Sequence, residues 1–308
     1  NISFIHYYNF YSGVIEEANK IKNLENTSTE VVENNAKKQV QIKKSKPKIL
    51  FFMYGWNEGG GGTTYPRAVA LKLAEMDYDI SVLYAGLRHQ KIETPYYLEE
   101  TINNAVKLFG VFNRKYDFLI TDNPLLEIED KDVIKHLEYV LEKCKPDIVH
   151  YYNILGLSFN SAKLIKDKGI PSVYTTANYY PIDPKLYMIE NQLMNWESSD
   201  FFANSSLPKQ YSQLKEDFKL RVNQGRRFIN EFTNLTLAIS ERVREIFIDF
   251  GGEPNKIKIL HQIPEIVTKK VQLQSKAIHN PVRFGFIGSI LPHKGVHNII
   301  LAAQMIKN

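Results

Sequence analysis

A doubly wound α/β fold, a parallel sheet with helices on both faces, is predicted by three features of this 308-residue sequence. Apolar runs of strand length alternate with helix-length amphipathic stretches, the apolar runs are continuous rather than alternating, and the first opens into four consecutive glycines ahead of a helix. Continuous apolar runs suit strands covered on both faces. Strand-helix alternation is the pattern of a parallel sheet with helical crossovers.

The first strand is expected at 48–54, where KILFFMY is apolar throughout, and Gly59 to Gly62 end it. Ala68, Leu71, Leu73 and Ala74 recur at helical spacing, which predicts a helix over 65–76 with Thr63 or Thr64 as its cap. Further strands are expected at 79–85, 116–121, 147–152, 171–176 and 235–239, and helices near 97–108, 130–144, 157–168, 208–231 and 240–250. Parallel sheets hold ligands outside the carboxyl ends of their strands, so the loops after Tyr54, Tyr152 and Thr176 should meet in one crevice.

Beyond this domain, placed at 47–261, the stretch 262–280 is polar and irregular and reads as an interdomain linker. The segment 281–308, containing PVRFGFIGSILPHKGVHNIILAAQMI, is again strand, glycine-bearing loop and helix. One such unit cannot bury a core. It is expected either to open a larger domain or to pack on the first. Upstream, 20–46 reads as a polar and basic linker. Residues 1–19 read as the tail of a preceding domain or an N-terminal helix, so the chain is expected to be a module of a longer polypeptide.

The loop Gly59, Gly60, Gly61, Gly62 suits an anion, because free amides and a helix dipole converge where missing side chains allow close approach. Neither common phosphate motif is present. A dinucleotide fingerprint would need glycine at Thr64, and a nucleoside-triphosphate loop would need lysine where Gly61 stands. The alternative is a flexible turn without a ligand.

Composition narrows the class. The net charge of +5 is spread among acids over most of the chain, which argues against nucleic acid. The single cysteine, Cys144, allows neither an internal disulfide nor a cysteine metal cluster, and a reducing compartment is the simpler expectation. No apolar run approaches the roughly 20 residues of a membrane helix. The run KKQVQIKKSKPK, Lys37 to Lys48, reads as solvated linker, with a membrane surface or acidic partner as the alternative.

Three stretches, KILFFMYGWNEGGGGTTYPRAVALKLAEM, LAISERVREIFIDFGGEPNKIKIL and FGFIGSILPHKGVHNIILA, carry a resemblance to the family 4 glycosyltransferases. It covers about residues 47–308 and is strongest at 282–306. It implies the GT-B fold, two Rossmann-like domains facing across a cleft, with only the start of the second present here. It further implies a nucleotide-sugar donor held mainly by the second domain, a saccharide or glycolipid acceptor held by the first, retention of anomeric configuration, and no obligatory metal or other cofactor. A cytoplasmic location, with peripheral contact at the inner membrane face, goes with that reading.

On this resemblance Gly59 to Gly62 and Lys294 would contact the donor, and Ser289 stands where similar enzymes carry an arginine. The stretch SVYTTANYYPIDPK departs again, with Ala177 where a histidine is usual. Alanine can neither transfer a proton nor donate a side-chain hydrogen bond. Either another group substitutes, or a retaining step needs no base, or transfer activity is lost. His150, at a strand's carboxyl end, is the substitute candidate, with a packed core histidine as the alternative. Asn57, Glu58, Asn178, Tyr179 and Tyr180 are candidate acceptor contacts. The basic helix 208–231 would suit lipid-linked acceptors, although Glu216 and Asp217 dilute it and a solvated face is the preferred reading. Two rival functions remain, a non-catalytic sugar-nucleotide or glycan-binding module and a sugar-nucleotide epimerase.

Overall fold

The computed structural model describes residues 11, 13, 14, 46–86, 96–112, 123–183, 214–262, 283–290 and 294–306. The predicted strand at 116–121, most of both linkers, and Lys209 lie outside them.

One eight-stranded sheet organises the chain up to Gln262. Its strands are β1 (Lys48–Met53), β2 (Asp79–Ala85), β3 (Tyr97–Asn103), β4 (Val106–Phe112), β5 (Ile148–Tyr151), β6 (Ser172–Thr175), β7 (Leu235–Ala238) and β8 (Ile257–Ile259). The order is β3-β4-β2-β1-β5-β6-β7-β8, and every pairing is parallel except that of β3 with β4. The predicted doubly wound sheet is therefore present.

Its continuous apolar strands follow from period-two geometry with both faces covered. Leu50 and Phe52 of β1 enter one core with Leu83, Val149 and Tyr174, while Ile49, Phe51 and Met53 enter the other with Val82, Ile148 and Val173. The first face is covered by α3 (Lys131–Cys144), α4 (Phe159–Asp167), α5 (Lys215–Arg227) and α6 (Glu241–Asp249), the second by α1 (Gly61–Glu75). A short α2 (Pro124–Ile128) precedes α3, and one π-helical turn, Phe228–Phe232, continues α5. No described helix is long and apolar enough to cross a membrane.

Tyr11 also packs on the α1 face, wholly buried, and its hydroxyl lies 2.6 Å from His150 Nδ1. Tyr11 is thus part of this domain's core.

Two local expectations are corrected. The helix expected near 97–108 is the β3-β4 hairpin. Asn104 and Ala105 both take positive φ, 45° and 66°, as a tight two-residue hairpin turn demands. The flanking Tyr97, Thr101, Ile102, Val106, Val111 and Phe112 are strand formers. Helix α1 starts at Gly61, earlier than expected, with Gly60 as N-cap and no side-chain cap. Thr64 Oγ1 instead donates back to the Gly60 carbonyl at 3.0 Å.

Residues 283–287 form no strand among the described residues, and α7 (Val296–Ile306) buries none of its residues. Phe284 is 81% and Ile290 82% exposed. The apolar side chains of this unit's described residues are thus left uncovered.

Candidate functional site

From β1 the chain winds outward through β2 and β4, and from β5 it winds the other way through β6, β7 and β8. The reversal lies between β1 and β5. A crevice at the carboxyl ends of strands flanking such a reversal is where doubly wound sheets bind ligands. The loop after β1 is the glycine loop. The amides of Tyr152 and Asn153, leaving β5, donate to the Phe52 carbonyl of β1 at 3.0 and 3.3 Å, which ties the two loops together.

The glycine loop is anchored below and open above. Trp56 is buried, and its carbonyl accepts from Arg67 Nη1 at 2.8 Å, while Tyr54 Oη donates to the Gly59 carbonyl at 3.1 Å. Gly60 takes φ 95°, a conformation side chains disfavour, and turns the chain into α1. Its carbonyl accepts from Thr63 and Thr64, so the amides of Gly61 and Gly62 precede the first intrahelical bond. A Cβ built at Gly59, Gly60 or Gly61 meets no atom within 4 Å. The missing side chains thus leave space, and two helix N-terminal amides, at the reversal point.

Asn57 is exposed beside this loop and Glu58 half-buried. Glu58 folds back over Gly55, where a Cβ would fall 2.0 Å from its Oε2. That oxygen is buried and has no hydrogen-bond partner among the described residues.

The 176–183 loop leaves the carboxyl end of β6, the strand next to β5 in the sheet. Thr176 is buried, its amide bonded to the Leu237 carbonyl and its Oγ1 accepting from the Ile239 amide. Asn178 and Tyr179 are half-buried. Asn178 Oδ1 accepts from the Tyr180 amide at 3.0 Å. Tyr179 lies over Phe247 with ring centroids 6.0 Å apart, and burial raises its hydroxyl pKa against the opposing charge of Arg242. Tyr180 is corrected as a sugar contact. Its ring is buried and stacked on Phe159, centroids 5.3 Å apart. Asn153 and Asp183, buried in the same loops, went unnoticed in the sequence, where neither stands in a spaced motif.

His150 is corrected as the substitute base, because no part of it reaches the crevice. Being a middle residue of β5, it points into the α1-face core, stacks on Tyr152 at 4.0 Å, and lies with Nε2 2.7 Å from Thr175 Oγ1. Burial lowers its pKa from 6.5 to about 3. The folded protein therefore keeps it neutral where the unfolded chain takes up a proton, and stability is full above pH 6.5 and declines as pH falls toward 3. The loss reaches on the order of 4–5 kcal/mol at the lower end. Urea unfolding of the protein and of His150→Gln at pH 7 and pH 5 checks this. The parent should lose stability with acid more steeply than the variant, and equal slopes would remove His150 as the cause.

Lys294 is exposed two residues before α7, and Ser289 is exposed too. A separate cleft of about 240 Å³, lined by Glu138, Glu142, Lys145 and Lys168, lies at the sheet's opposite end, where α3 and α4 finish. Helix carboxyl termini present carbonyls there, the wrong polarity for a phosphate.

The family model for glycosyltransferase family 4 matches residues 59–262. A protein from Klebsiella pneumoniae, described as an uncharacterized 42.6 kDa protein in the cps region, is 22% identical over 258 residues, 80% of this chain and 62% of that protein. Among solved structures, sucrose-phosphate synthase from Thermosynechococcus elongatus superposes with TM-score 0.46 at 10% identity, covering 70% of this chain and 48% of that one. HepE from Anabaena in complex with UDP gives 0.37 at 14% identity, covering 71% and 45%. UDP-N-acetylglucosamine 2-epimerase from Rickettsia bellii gives 0.35 at 13%, covering 70% and 45%. The chain spans less than two thirds of the length of each of these proteins.

Proposed function

Because the chain belongs to glycosyltransferase family 4, whose model it matches over residues 59–262, we propose that it transfers a sugar, with retention, from a nucleoside-diphosphate sugar to a saccharide or glycolipid acceptor. The observation that carries this reading is the open glycine loop at the sheet's reversal point, with the N-terminal amides of α1 facing space that no side chain fills. As the bond from the anomeric carbon to the leaving phosphate breaks, negative charge grows on that phosphate. Prepositioned amides and a cation stabilise it without a metal. In this proposal Gly59 to Gly62 approach the donor from the first domain and Lys294 from the second, while Asn57, Glu58, Asn178 and Tyr179 face the acceptor. The acceptor hydroxyl's oxygen bonds to the anomeric carbon, and its proton leaves with the departing phosphate, which suits a site with alanine at 177.

A screen of UDP-, GDP- and ADP-sugars for binding and donor hydrolysis by the full-length protein tests the reading. It fails if none binds. A second reading, a non-catalytic sugar-nucleotide-binding module, is supported by Ala177 together with the burial of His150, which withdraws that imidazole from the crevice. Binding without turnover on any acceptor would favour it.

Lys294→Ala in the full-length protein should weaken nucleoside-diphosphate binding roughly 10- to 150-fold, the span of one charge-assisted hydrogen bond. Ser289→Arg should tighten it by adding a planar fork. Unaltered affinity in Lys294→Ala would move the diphosphate away from this loop.

The membrane-face part of the reading has less support. Along α5, Lys219 pairs with Glu216, Arg227 with Glu231, and Arg221 turns inward to Glu127, so much of the helix's positive charge is matched within the protein.

A further inference from the structure

We infer that Arg221 is a positioning residue for the 176–183 loop: from beneath, its guanidinium holds Tyr180 while Gly225, one turn on, seats Pro181, and together they set where Asn178 and Tyr179 stand. The inference rests on the proposed function and deepens it, by naming what fixes the acceptor wall of that crevice.

Arg221 is wholly buried and pairs through Nε with the buried Glu127 of α2. A buried ion pair is weak support for stability, since apolar residues of similar volume often serve as well. The charge alone also leaves the choice of arginine unexplained, because lysine would neutralise Glu127. What lysine lacks is a flat face that stacks on rings. Arg221 Cζ lies 4.2 Å from the Tyr180 ring centroid and 5.1 Å from that of Phe159, and those two rings stack on each other. Tyr180 is thereby held by residues of both α4 and α5.

The ring governs the turn above it. Tyr180's amide donates to Asn178 Oδ1, and the Tyr179 carbonyl accepts from the amides of Ile182 and Asp183 at 2.9 and 2.8 Å. Gly225 shares a helix face with Arg221, four residues on. A Cβ there would fall 1.8 Å from the Pro181 carbonyl oxygen, a backbone atom that cannot swing aside. Only glycine lets α5 approach the loop so closely. Arginine and glycine on one face thus form a two-point seat for consecutive loop residues.

The test uses the full-length protein, Arg221→Lys, which keeps a charge opposite Glu127 but not the flat face, and the double variant Arg221→Met with Glu127→Met, which leaves no unpaired charge. Hydrogen exchange is followed at the amides of Tyr180, Ile182 and Asp183 and, as reference, in β1 and β5. Acceptor KM, kcat and nucleoside-diphosphate affinity are measured alongside. Both variants should speed exchange at the three loop amides about tenfold, the scale of a desolvated cation–π contact, with the reference strands unchanged. Acceptor KM should rise while kcat and nucleotide affinity change little. Unchanged loop amides, or equal acceleration in the loop and the reference strands, would overturn the inference and leave the proposed function standing. Failure of the unaltered protein to bind any nucleotide sugar would remove the proposed function instead, and the exchange pattern would still decide whether Arg221 positions the loop.

Discussion

Gly61→Val in the full-length protein should cut transfer by about 100-fold or more, the effect of losing a prepositioned backbone donor, and leave the unfolding midpoint nearly where it was. The two halves of this result have separate causes. Gly61 is helical, lacking the positive φ of Gly60, and a Cβ built on it meets nothing within 4 Å. Valine therefore fits the fold. Its helix propensity is no worse than glycine's, so the helix itself loses nothing. What the branched side chain obstructs is approach to the amides of Gly61 and Gly62. Steady-state kinetics and a thermal melt on the same preparations check both halves. Gly60 is the poorer site for this test, because φ 95° would strain any replacement.

Tyr11→Ala should cost about 3–5 kcal/mol of stability, the range for truncating a buried aromatic side chain. Tyr11 belongs to the α1-face core, edge-on to His150 with ring centroids 5.7 Å apart. Its hydroxyl also ends a buried chain running through His150 to Thr175. Tyr11→Phe keeps the ring and removes only that partner, so a smaller loss, about 1–3 kcal/mol for one buried group left unsatisfied, is expected. Urea midpoints of the three proteins give the comparison. Equal stability of all three would place the N-terminal segment outside the domain's cooperative unit.

The sheet's centre was legible because β1, β2, β5, β6 and β7 are short strand-length stretches dominated by apolar and β-branched residues, and the two cores they feed explain why. The hairpin β3-β4 was not. No residue of β3 is buried, Glu99, Glu100 and Lys107 interrupt the apolar residues, and the deciding feature is a pair of positive φ values that sequence spacing does not display. The glycine loop could be read as a strand-to-helix anion site, since glycines there have a backbone consequence. His150 could not be placed. A histidine ending a strand reads the same whether it faces a crevice or the core, and only its register beside Phe51 and Val173 shows that it points inward. Tyr180 misled for a similar reason: what buries it is Arg221, forty-one positions further along the chain. Long-range pairing of that kind leaves no local trace.

The central claim is that the glycine loop at the reversal between β1 and β5 receives the diphosphate of a nucleotide sugar. Calorimetric titration of the full-length protein and its Gly61→Val variant with UDP, GDP and ADP tests it most directly. Saturable binding of one of these nucleotides to the parent, with affinity lost in a variant whose fold is intact, is the predicted result. Equal affinity in the two proteins, or no binding of any of the three to the parent, would contradict it.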